Sequence, residues 1–201
     1  MLYNVFMEIL QDIDTIIKSV LDSLGAFAPI LACLLMLVES MLPMLPLAVF
    51  ITVNFYYIGT IPGFLISWIL TCIGCYLSFR LCRTKFKKHF DSMMDKKEHR
   101  KLKKMMKAFD NMKVEELSLL IAIPFTPAFL VNIAAGLSNM NKKKFILSLI
   151  IGKFFMVYFW GFVGTSLIDS LKDPSILVKI VFVLIIAYII SKIVNKKFRL
   201  E

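Results

Sequence analysis

Two apolar stretches of this chain are each cut by a pair of prolines three residues apart, and that pattern limits the fold more than any other feature. Residues 26–58 are apolar except around Glu39-Ser40-Met41-Leu42-Pro43-Met44-Leu45-Pro46. Residues 117–136 read LSLLIAIPFTPAFLVNIAAG, with Pro124 and Pro127 at the same spacing. Proline removes a helical N–H and clashes with the preceding turn, so each pair ends one helix before another begins. The pieces flanking the first pair are about 15 and 12 residues long. At 1.5 Å per residue neither covers a ~30 Å hydrocarbon core. The economical shape is a re-entrant hairpin that enters, turns near mid-membrane and leaves on the same side. Two short spanning helices are the less economical alternative.

Composition identifies the solvent. Hydrophobic residues are 59% of the chain, charged residues 19%, and the mean hydropathy is +0.78. A soluble domain holds roughly 45–50% apolar and 25% charged residues, and a core of this size cannot hide the difference. The chain is therefore read as an all-α integral membrane protein. A secreted disulfide scaffold, a free nucleic-acid-binding domain and an ordinary soluble enzyme are excluded. Uninterrupted apolar runs at 64–81, 145–168 and 176–194 are expected to span the bilayer. Residues 2–24 repeat apolar side chains at helical spacing with Glu8, Asp12, Asp14, Lys18 and Asp22 between them, the pattern of an amphipathic helix lying in the interface over 1–24. They lack the basic start and unbroken apolar core of a signal peptide.

Charge sets the orientation. The net charge is +10, from 24 Lys and Arg against 14 Asp and Glu. Twelve of those cations fall between Arg83 and Lys113, opposed by four acids, Asp91, Asp95, Glu98 and Asp110. This basic amphipathic linker, residues 84–116, reads as a cytoplasmic face that meets anionic lipid headgroups over 83–113, with no nucleic-acid partner. Its methionines also fit a calmodulin target, but an interfacial helix explains them equally well. Lys142-Lys143-Lys144 and the basic C-terminus mark the same side, which leaves Leu171 to Ser175 external. Both sets of clusters are satisfied if the first hairpin opens outward and the second inward. Self-association is left open. Arg80 and Arg83 read as interfacial anchors.

The broken segments also match each other in order. Pro43-x-x-Pro46, Asn54, Gly59 and a helix containing Gly74 correspond to Pro124-x-x-Pro127, Asn132, Gly136 and a helix containing Gly152. Opposite hairpin orientation with one order of elements is an inverted repeat. The first repeat is 25–83 (hairpin 26–58), and the second is 117–168 (hairpin 117–138). Transporters built this way hold their substrate where broken helices meet near the midplane. A purely structural kink is the plain alternative for either PxxP.

Glu39-x-x-x-Pro43-x-x-Pro46 and IPFTPAFLVNIAAGLSNMNKKKFILSLIIGKFF together resemble the DedA superfamily, also called the SNARE-associated Golgi protein or VTT-domain family, over roughly residues 25–170. The resemblance implies two re-entrant hairpins in inverted repeat. It also implies movement of phospholipid or polyprenyl phosphate across a bilayer, a role in membrane homeostasis and a place in the bacterial cytoplasmic membrane. The chain departs from the family at one point. The family's arginines before the second proline turn and after its first proline are replaced here by Ile121 and Pro127.

Several residues could serve such a site. Half-helix N-termini after Pro46 and Pro127 offer partial positive charge and free N–H groups to a phosphate. Thr126, Asn54 and Asn132 could add hydrogen bonds, although Asn132 would equally well brace its own hairpin. Glu39 and Lys153 are ionisable groups inside apolar segments, which are costly and by default functional or paired. Lys153 is expected to replace the missing arginine, with Glu39 as its partner or as a proton carrier. The opposing reading has Lys153 snorkelling to the surface and Glu39 fastening a turn. Cys72 and Cys75 form a CxxC without nearby ligands, and His89 and His99 sit among lysines, so no metal, cofactor or enzyme chemistry is expected. Lipid translocation is the leading function. A proton-coupled solute or drug transporter and a non-transporting membrane organiser are the alternatives.

Overall fold

The computed structural model describes residues 25, 27–41, 47–88, 107–126, 128–170, 173 and 175–198. The expected amphipathic segment 1–24, most of the basic linker, and Pro43, Pro46 and Pro127 lie outside the described residues. Among those described, all regular structure is helical. In chain order the helices are α1 (Phe27–Met41), α2 (Leu47–Ile58), α3 (Thr60–Leu81), a π-helical turn (Cys82–Phe86), α4 (Val114–Ala122), α5 (Ala128–Leu137), α6 (Lys142–Ser170) and α7 (Ser175–Phe198). Three are long and apolar enough to cross a membrane: Thr60–Phe86, Lys142–Ser170 and Ser175–Val194.

The spanning helices are longer than their apolar runs because polar residues are accommodated at their ends. Pro62 lies in the first turn of α3, where its missing N–H is no loss. Gly59, at φ 97°, makes the sharp turn from α2 that a side chain would oppose. Asn141 accepts the Lys143 N–H at 2.8 Å, so α6 starts within the three lysines instead of after them. At the far end Asp173 accepts the Ser175 N–H at 3.0 Å and starts α7.

Helices α3 and α6 run antiparallel. Phe64 meets Phe154, the Trp68 indole N–H donates to the Ile150 carbonyl at 2.9 Å, and Phe79 stacks on Phe145 with centroids 4.1 Å apart. Each short arm that precedes a turn follows a spanning helix in the same direction. Along α1, Ser40 and Leu37 reach Gly74 of α3; along α4, Ser118 and Ile121 reach Gly152 of α6. Of the second arms, α2 packs on both α3 and α6, and α5 packs on α3. Outer faces carry large apolar side chains, among them Ile61 at 75% and Val178 at 73% exposure, as expected of a surface solvated by lipid.

The contacts at Gly74 and Gly152 are matched. A Cβ on Gly74 would lie 2.6 Å from Ser40 Cβ and 2.9 Å from the Leu37 carbonyl oxygen. On Gly152 it would lie 2.7 Å from Ile121 Cβ and 2.8 Å from the Ser118 carbonyl oxygen. Backbone cannot rotate away, so only glycine permits this approach. We expect Gly74→Val and Gly152→Val each to cost roughly 1–3 kcal/mol through overpacking, read as a lowered unfolding midpoint of the purified protein. An unchanged midpoint would show that the arms do not rest on these glycines.

Candidate functional site

Among the described residues, most buried apolar side chains fall in two clusters. One holds Phe79, Leu117, Leu120, Ile121, Phe145 and Leu149; the other holds Met36, Leu47, Ile51, Phe55, Met156 and Val157. Along α6 the division falls between Leu149 and Met156. Lys153 lies in that gap and is 1% exposed. Its ammonium is 3.3 Å from Met156 Sδ, a weak acceptor, and it interacts electrostatically with Glu39 of α1 and with Cys72 of α3. Groups on α1 and α3 therefore act electrostatically on one buried cation of α6. Lys153 is covered by protein at this level of α6.

Ser40, Thr71, Cys72 and Cys75 surround the same level. Ser40 and Thr71 return their hydroxyls to their own helices, to Met36 O at 2.8 Å and Ser67 O at 2.9 Å, and Cys75 Sγ lies 3.7 Å from Ser40 O. Two buried polar atoms of the second hairpin, Ser118 Oγ and Asn132 Nδ2, have no partner among the described residues. Such orphans each cost roughly 1–3 kcal/mol and call for an explanation.

The other sequence-predicted residues are distributed differently. Asn54 is fully buried and ties hairpin arms to α3, donating from Nδ2 to Ser67 Oγ at 3.1 Å and lying 3.7 Å from Cys33 Sγ. Gly136 is a packing position, where a Cβ would meet Cys82 Cβ and the Phe79 carbonyl oxygen, both at 2.7 Å. Pro124 and Thr126 are buried in the turn after α4, whose Phe125 has φ 66° and sets its ring against Trp160 and Tyr188 at 5.5 and 6.1 Å. Among the described residues no group of three His, Cys, Asp or Glu side chains is placed to hold a metal.

Sequence reasoning missed the work of Arg83. Its guanidinium donates to the carbonyls of Gly136 (3.2 Å), Met140 (2.7 Å), Ala135 (3.0 Å) and Ser138 (2.8 Å), and lies 4.5 Å from the centroid of the Phe79 ring. Lys87 adds Leu137 O, Ser138 O and Asn139 Oδ1 at 3.1, 2.8 and 2.7 Å. Together they cap the C-terminal end of α5, where carbonyls lack helical partners and the dipole is negative. The π-turn, closed by Lys87 N–H to Cys82 O, shifts both residues onto the face that meets α5. The only available signal was their four-residue spacing past an apolar run, which also fits a headgroup anchor.

Three spanning-length helices with short apolar helices packed against them make this an all-helical integral membrane protein. The VTT domain matches residues 42–166, and the chain belongs to that family, the DedA family. It is 32% identical over 175 residues, 87% of this chain and 84% of the relative, to an uncharacterised membrane protein of Bacillus subtilis (strain 168), YhjE. No solved structure matches the chain.

Arg83→Gln should destabilise the protein by about 3 kcal/mol, since it removes a charged fork and strands buried carbonyls. Arg83→Lys should recover less than half, and Arg80→Gln, at an exposed neighbouring position, should stay within about 0.5 kcal/mol of the parent. Thermal unfolding of the three variants in one detergent distinguishes them. Equal effects at positions 80 and 83 would contradict the capping role.

Proposed function

We propose that this protein moves an amphiphilic lipid with a phosphate headgroup, a phospholipid or a polyprenyl phosphate, across the bilayer. The observation that carries the reading is Lys153: a cation fully buried between two apolar clusters, within electrostatic reach of Glu39. A charge at the bilayer centre costs ~2.5–3.5 kcal/mol even on the lenient scale, so a protein with no use for it would be more stable with methionine there. A phosphate passing this level would find the ammonium, and Glu39 would hold the site neutral when it is empty.

Depth supports the same reading. Gly74 lies fourteen residues into α3 and Gly152 ten into α6, about 21 and 15 Å along helices that cross a ~30 Å core. The residues just before each turn therefore arrive near the midplane, α1 from the Thr60 end and α4 from the Lys142 end. That is the arrangement of two re-entrant hairpins in inverted repeat, each open to a different face. With the basic ends cytoplasmic, the first hairpin opens outward and the second inward. Ser118 Oγ and Asn132 Nδ2 supply further unused polar atoms on the second hairpin.

Ile121, at the position where the family carries arginine, packs against Gly152, next to Lys153 in sequence. This supports Lys153 as the replacement for that arginine.

Reconstituted protein tests the reading through its charges. Glu39→Gln and Lys153→Met should each slow transbilayer lipid movement by roughly tenfold or more, while Glu39→Asp and Lys153→Arg retain part of it. Ile121→Arg should restore some movement to Lys153→Met by returning a positive charge to the same place. Normal transport by Lys153→Met would remove Lys153 from the site. Lipid movement no faster than in empty liposomes, with proton-linked solute uptake in its place, would favour a solute transporter.

A further inference from the structure

A second site lies at the basic end of the same two helices. A cavity of about 250 Å³ is lined by Tyr76, Phe79, Arg80, Arg83, Thr84 and Lys142. Three of the six are cations and none is a carboxylate. Lys142 places its ammonium 5.3 Å from the centroid of the Tyr76 ring. The charge of Arg83 is engaged by carbonyls of α5 and its chain forms a wall, so Arg80 and Lys142 present the charge that a ligand would meet. Lys142, Lys143 and Lys144 begin α6, where the helix dipole is already positive. Cations there are unfavourable by the dipole rule unless an anion joins them.

The ligand's other half is indicated by what leads to the cavity. Tyr76, Arg80 and Thr84 lie on one face of α3, and the same face continues into the span through Ile69, Ile73 and Leu77, exposed by 52, 44 and 38%. A positive rim above an aromatic floor, continuous with a lipid-facing apolar stripe, matches a molecule with an anionic head and a hydrocarbon tail. The volume is below the ~300–1,000 Å³ of a pocket that encloses a whole small molecule, and suits a headgroup whose chains stay in the bilayer.

We propose that this cavity binds the phosphate of an anionic glycerophospholipid as a resident lipid, held by Arg80 and Lys142 and packed on Tyr76. The site is separate from Lys153 and does not depend on the translocation reading; it stands even if the protein moves no lipid.

The experiment follows the unfolding midpoint of the full-length protein in neutral detergent, titrated separately with phosphatidylglycerol, phosphatidylcholine and inorganic phosphate. Phosphatidylglycerol should stabilise the protein where the other two do not. Each basic group near the surface contributes about one factor of five to anionic lipid affinity, so Arg80→Gln with Lys142→Gln should weaken the apparent affinity about 30-fold, and Lys142→Gln alone about fivefold. Lys85→Gln with Lys143→Gln removes the same charge from exposed positions outside the cavity and should leave the affinity nearly unchanged. Equal weakening by this control pair would show diffuse charge in place of a site. Equal stabilisation by phosphatidylcholine, or full stabilisation by inorganic phosphate, would also overturn the assignment.

Discussion

The last carbonyls of a helix have no partner within it, so other groups must satisfy them. That constraint is met at α5, at the basic end of the spanning helices, where its final carbonyls and following turn are taken up by Arg83 and Lys87 from the π-turn that ends α3. The clip joins the end of the first spanning helix to the exit of the second hairpin, a contact across more than fifty residues of sequence. Close approach then follows. Gly136 lets α5 lie against Phe79 and Cys82, and Gly161 and Gly164 let α6 take Phe55 and Thr52 of α2.

A polar level lies between the two apolar clusters. Lys153 occupies the separation. A thioether at 3.3 Å and an attraction to Glu39 do not replace the hydration that a lysine loses on burial. Stability therefore does not account for a cation at this position.

Much of this was legible in the sequence because it rests on local rules. Apolar runs gave three helices of spanning length, and the proline pairs separated the short arms from them. Glu39 and Lys153 stood out as charges among apolar neighbours. What escaped depends on contacts between distant segments. Arg83 at the end of an apolar run looks identical whether it meets a headgroup or caps another helix. Asn54 stood out as a possible hydrogen-bonding residue, but its contacts with Ser67 and Cys33 lie on other helices and could not be read from the sequence. The start of α3 and both ends of α6 lie beyond the apolar runs, because a hydropathy run stops at the first polar residues whereas Pro62 and Asn141 let the helices begin before it.

The central claim is that the two hairpins enter from opposite faces and meet at Lys153. Single cysteines at Phe27, Thr60, Glu115 and Lys143, introduced into a cysteine-free variant, measure this directly with a membrane-impermeant maleimide on intact cells. Phe27 and Thr60 bracket the first hairpin and should both be labelled from outside. Glu115 and Lys143 bracket the second and should be labelled only after the membrane is opened. Labelling of Phe27 and Thr60 from different sides, or of all four from one side, would contradict the account.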